Sequence, residues 1–185
     1  MTDVNPKEDT RNVIDRYRTM PVEAIVENLD MTRSELEIAV ENIGRDFNMG
    51  TIIRNANAFN VAKVHIIGSR QWNKRGAMKT DAYMHIEYHK TAEEFFEAMR
   101  SVQKVVIAVD IVEGAEELNA IKFPNNAVLV FGAEGPGLSE MVLKKAEKVV
   151  KIEQFGSTRS INVGVASGIA MYAWIQQHRF QGKIS

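Results

Sequence analysis

Asn48, Arg54, Glu134, Ser160 and Asn162 are the side chains best suited to chemistry in this sequence, because each stands among small residues that let a backbone approach a ligand. They fall in three blocks: Phe47-Asn48-Met49-Gly50-Thr51-Ile52-Ile53-Arg54-Asn55-Ala56, Val130-Phe131-Gly132-Ala133-Glu134-Gly135-Pro136-Gly137-Leu138-Ser139 and Ser160-Ile161-Asn162-Val163-Gly164-Val165-Ala166. The second block follows an apolar run directly, and its glycines permit positive φ and bare amides. It lacks the GxGxxG pattern and the Gly-Lys-Ser/Thr ending of a phosphate loop, so on its residues alone it is a tight turn as readily as a cofactor site. The Glu134 carboxylate would repel phosphates and suits a cationic or hydroxyl-bearing ligand. In the first block Asn48 can cap a helix. Arg54, nearly two turns further on, can border the same cleft, or simply pair with a surface acid. In the third, Ser157, Thr158, Arg159, Ser160 and Asn162 form a polar cluster with an N-cap expected at Ser160. It leads into a helix whose Gly164, Ala166, Ser167, Gly168 and Ala170 make a smooth packing face.

Two further groups invite a reading. Arg70, Lys74, Arg75 and Lys79 share an acid-free stretch with Trp72, a composition that can grip phosphates and stack a base, or can be a solvated loop. His85, Glu87 and His89 alternate along a strand-like run, which sets three potential metal ligands on one face. Nothing else in the sequence converges on them, so no metal is expected. Ser139 lacks the Gly-x-Ser-x-Gly context of a serine nucleophile.

The elements that must position these blocks alternate. Strands are expected at 36–40, 64–67, 85–88, 105–109, 128–131 and 149–152, and helices at 49–59, 92–102, 139–146 and 162–178. Two short helices, 10–20 and 22–29, precede them, the first capped by Asp9 or Thr10 and carrying Arg11, Arg16 and Arg18. Alternation implies an α/β fold with a mainly parallel sheet flanked by helices, and the apolar run Val105–Val109 suits a strand covered on both faces. Ligands in such sheets sit beyond the carboxyl ends of the strands, where all three blocks fall. The length of 185 residues and 45% hydrophobic content suit one domain with a real core. The absence of cysteine excludes disulfides and thiolate chemistry. No apolar run nears a membrane span and the first residues are too polar for a signal peptide, so a cytoplasmic location is expected. A net charge of -1 is awkward for binding nucleic acid.

In order and wording the three blocks resemble the three motifs of the SpoU/TrmH family, the RNA 2′-O-ribose methyltransferases of the SPOUT superfamily. The match runs from about Leu36 to His178, setting a domain over 35–185 behind an N-terminal helical extension, 1–34. The resemblance implies a C-terminal deep trefoil knot whose bend holds S-adenosyl-L-methionine, and a homodimer with the active site shared across its interface. Carried over by motif, the catalytic residues fall on Asn48, Arg54, Glu134, Ser160 and Asn162. Cofactor contacts fall on Val109, Gly132, Glu134, Gly135, Gly137, Ile152, Ser160, Ile161 and Asn162. RNA contacts are expected from Arg54, Arg70, Lys74, Arg75, Lys79 and Arg159. Asn55 stands where the family more often has threonine, Ile161 where leucine is usual, and Asn60 where glycine is frequent. The function implied is methyl transfer to a ribose 2′-hydroxyl of tRNA or rRNA. A noncatalytic RNA-binding protein that kept the fold is the alternative, and it predicts damage at Asn48, Arg54 or Asn162, all of which are intact.

Overall fold

The computed structural model describes residues 9–42, 48–133 and 135–180. Its centre is a seven-stranded sheet: β1 (Glu37–Asn42), β2 (Lys63–Gly68), β3 (Ile86–His89), β4 (Val105–Val109), β5 (Glu116–Glu117), β6 (Ala127–Phe131) and β7 (Lys148–Lys151), in the order β3-β2-β1-β6-β4-β7-β5. Every pairing is parallel. The helices are α1 (Val22–Asp30), α2 (Asn48–Ala58), α3 (Ala92–Ser101), α4 (Glu140–Lys145) and α5 (Val163–Arg179).

Alternation along each strand splits the core into two. Ile38, Val40, Ile66, Ile107, Leu129 and Phe131 point to one face, where they pack with Ile52 and Ile53 of α2 and Met171 and Trp174 of α5. Ala39, Ile67, Ala108, Val128 and Val130 point to the other, against Phe95, Phe96 and Met99 of α3 and Val142 of α4. Both faces are covered, which is why β6 is buried at every position and reads as an unbroken apolar run.

The expected elements form, with three differences. Residues 10–20 are not a helix: only a single 3-10 turn, Asp15–Tyr17, appears there. Asp9, expected to cap that helix, instead receives the Arg11 guanidinium (2.6 Å) and the Thr19 amide (2.9 Å), while Arg11 donates to the carbonyl of Met20 (2.8 Å). Side-chain bonds to backbone thus compete with the helix, and Thr19 sits at φ 67. The extension packs through Tyr17 and Ile25 onto Tyr83. The second difference is β5, an exposed pair of glutamates at the sheet edge with no apolar signal to betray it. The third is β1, which runs on through Glu41 and Asn42, polar but buried. Asn60 occupies a left-handed position (φ 49), the conformation that glycine adopts most readily.

Candidate functional site

The carboxyl ends of β6, β4 and β7 lie side by side, and the chain leaving them encloses a cleft of about 270 Å³. Val109, Phe131, Ile152, Ile161 and Ala166 supply apolar wall, Gly132, Gly135 and Gly137 supply backbone, and Ser160 and Asn162 supply polar side chains. All the expected cofactor positions among the described residues line this one cleft. Glu134 lies outside the described residues. Asp110 is the only charged side chain among the described lining residues.

The glycine block takes its shape from close approach. A Cβ on Gly132 would strike the carbonyl of Gly137 and come within 2.5 Å of the Leu138 amide. Gly137 (φ 71) donates to the carbonyl of Ala133 at 3.1 Å, pinching the loop shut. Two carboxylates hold it from below. Asp110 accepts from the amides of Leu138 (2.9 Å) and Ile111 (2.7 Å), and buried Glu41 accepts from the Ser139 amide (2.7 Å). Reading by motif missed both. Their signal was local, an acid at the carboxyl end of an apolar strand, but nothing local says which loop crosses above it.

The first and third blocks meet. Asn162 caps α5, accepting from the Val165 amide at 3.2 Å, and its Nδ2 donates to Oδ1 of Asn48 at 2.7 Å. The cap is therefore Asn162, not the expected Ser160, which is exposed and whose carbonyl accepts from the Thr158 hydroxyl (2.9 Å). Asn55 donates to the Gly164 carbonyl (2.8 Å) and the Ser167 hydroxyl (3.1 Å), tying α2 to α5. A Cβ on Gly164 would lie 2.9 Å from the Thr51 methyl group, so the helices pack as closely as the small-residue face suggested.

Arg54 is exposed on α2, does not line the cleft of its own chain, and has no ion-pair partner among the described residues. Several side chains of the basic loop are engaged within the fold. Trp72 packs onto the core rather than standing free, and Lys74 is paired with Asp81 at 2.8 Å, just past the acid-free stretch. Arg70 lies over the Tyr88 ring (5.3 Å). Arg75, Lys79 and, across the site, Arg159 are exposed. The loop is clamped to α2, since a Cβ on Gly50 would sit 2.5 Å from the Ala77 amide. It thus flanks the helix that carries Arg54. The three potential metal ligands do not stay together: His85 turns away to Asp30 (2.8 Å), leaving Glu87 and His89.

The sequence profile of the SpoU rRNA methylase family matches residues 35–172. The chain is 24% identical over 161 residues to the tRNA (guanosine(18)-2′-O)-methyltransferase of Escherichia coli K12, covering 85% of this chain and 70% of that protein. It is 31% identical over 156 residues to an uncharacterized tRNA/rRNA methyltransferase of Archaeoglobus fulgidus, covering 80% of this chain and 67% of the other. Among solved structures, the A. aeolicus TrmH/SpoU tRNA modifying enzyme superposes with a TM-score of 0.75 at 20% identity, covering 87% of this chain and 84% of the other. The SpoU methyltransferase AviRb of Streptomyces viridochromogenes, in complex with AdoMet, superposes at 0.70 and 20% identity over 84% of this chain and 65% of that one.

Proposed function

The chain belongs to the SpoU rRNA methylase family, and from that premise we propose that it methylates a ribose 2′-hydroxyl of tRNA with S-adenosyl-L-methionine. The observation that carries the proposal is the cleft itself. Among the described residues its one charged lining side chain is a carboxylate, its walls are apolar, and its rim is glycine backbone. Such a site disfavours phosphates and fits a ligand with an aromatic base and positive charge. Relatives named as tRNA methyltransferases support tRNA over rRNA as substrate and, with it, a cytoplasmic location. No helix among the described residues is long and apolar enough to cross a membrane.

Bound in the cleft, the cofactor supplies an electrophilic sulfonium methyl group. The chain must hold the ribose oxygen in line with it and see its proton removed. A guanidinium stays protonated, so Arg54 is not the base. Arg54 binds the phosphate beside the target ribose and stabilises the developing alkoxide, and the hydroxyl proton passes to a phosphate oxygen. Asn48 and Ser160 orient backbone and substrate, while Glu134 and Asn162 shape the cofactor loop. Arg75, Lys79 and Arg159 bind flanking phosphates.

Arg54 lies outside its own chain's cleft, which supports a homodimer in which each copy offers Arg54 to the other. The exposed row Val165, Ile169 and Tyr172 on α5, spaced one face of a helix apart, gives that assembly an apolar surface. The deep trefoil knot, and the division into an extension over 1–34 and a methyltransferase domain over 35–185, belong to the same proposal.

The test is nucleoside mass spectrometry of tRNA and rRNA from cells with and without the gene. The expected result is loss of one 2′-O-methylnucleoside from tRNA, restored by the wild type and not by Arg54→Ala. No change in any ribose methylation would reject the enzyme and favour the noncatalytic alternative.

A further inference from the structure

On the opposite face of the sheet from α2, the strands at the β3 edge carry a cluster that methyl transfer does not use. His65 of β2 and His89 and Glu87 of β3 bring one donor atom each within 4.8 Å of one another. Nδ1 of His65 lies 2.9 Å from Nε2 of His89, which lies 3.8 Å from Oε1 of Glu87. Register explains the convergence: His65 pairs with Glu87 and Ile67 with His89, so all three project to the α3 face. Phe95 of α3 closes over them, its ring centroid 5.6 Å from that of His65 and 5.4 Å from that of His89.

We propose that His65, His89 and Glu87 bind a divalent transition-metal ion of the zinc type, with solvent as fourth ligand. Ligand atoms around tetrahedral zinc stand roughly 3.3 Å apart, since zinc–nitrogen bonds are about 2.0 Å. The two spacings of 2.9 and 3.8 Å bracket that value, and all three donors lie within 4.8 Å of one another. Two imidazoles and one carboxylate favour zinc over magnesium or calcium, which take oxygen ligands.

What surrounds the donors points the same way. Nε2 of His65 lies 2.8 Å from the carboxylate of Glu37, so that nitrogen carries the proton and Nδ1 presents its lone pair to the cluster. Lys104, 2.9 Å from the other oxygen of Glu37, holds that carboxylate in place. Lys63 takes Oε2 of Glu87 at 2.7 Å and leaves Oε1 towards the histidines. The histidine side chains are 0% and 5% exposed, whereas Glu87 is 42% exposed, so the cluster reaches solvent on the Glu87 side.

The test uses the full-length chain, stripped with a chelator and titrated with zinc chloride or cobalt chloride alone. The expected result is about one ion per chain, intense visible absorption from tetrahedral cobalt, and a raised thermal midpoint. Glu87→Gln and His89→Gln should each weaken binding at least about tenfold, whereas His85→Gln should not change it. Glu87 is half-exposed, so its variant remains informative if His89→Gln fails to fold. Absence of stoichiometric binding by the wild type, binding unchanged in Glu87→Gln, or loss of binding in His85→Gln would each overturn the proposal.

Discussion

The two polar regions of this sheet are built from opposite materials. Beyond β6, β4 and β7 the cleft is made of glycine backbone and apolar side chains, and the carboxylates of Asp110 and Glu41 hold loop amides. Under α3 the cluster is made of long side chains that touch one another: Lys104, Glu37, His65, His89, Glu87 and Lys63. The cleft commits its carboxylates to loop amides. The cluster under α3 pairs its charges with one another, because an unpaired buried ion is costly. Substitutions in the first should therefore register in activity, and in the second in stability.

The sharpest separation should come from Arg54→Ala. Loss of a charge that stabilises a developing alkoxide should cost on the order of 100- to 1,000-fold in turnover. The exposed position predicts an unchanged melting temperature, so a large drop in stability would break the distinction. Next, Lys104→Met leaves Glu37 buried with His65 alone, and should destabilise by roughly 3 kcal/mol in urea titration while methyl transfer at permissive temperature persists. Gly132→Ala should abolish S-adenosylmethionine binding in calorimetry, because its Cβ meets the far limb of the loop. If binding survives, the cleft does not have the shape described. Asn162→Ala removes the α5 cap and the bond to Asn48, and should cost about 1 kcal/mol, with a fall in activity as well. The smallest effect is expected at Asp9, whose carboxyl the Arg11 and Thr19 bonds hold well below the usual range. A depressed carboxyl stabilises above its ordinary value of 3.8 and stops doing so as pH falls further. Protection of residues 9–20 against hydrogen exchange, relative to the intrinsic rate at each pH, should accordingly fall below about pH 4, ahead of the sheet.

Much of this was legible along the chain. Periodicity located the strands and most helices, and the glycine block marked its loop, because both signals depend only on neighbouring residues. The helix expected at 10–20 failed because Asp9 reaches Thr19, and Arg11 reaches Met20, contacts that propensity does not weigh. Trp72 read as a stacking platform until its packing against the core was seen. Alternation along the chain set His85 beside Glu87 and His89, where the structure puts His65, a neighbour across β2 and β3.

The sequence by itself determined the α/β class, the three blocks and the residue types in them, since glycine, cap and strand preferences are properties of the local chain. Only the tertiary structure decided that Asp110 and Glu41 anchor the loop, that Asn48 meets Asn162, that Arg54 does not line its own cleft, and that His65 joins His89. Those pairings follow from strand order and register. Both are settled by burying two faces of one sheet at once, a condition on the whole chain that no segment of it carries.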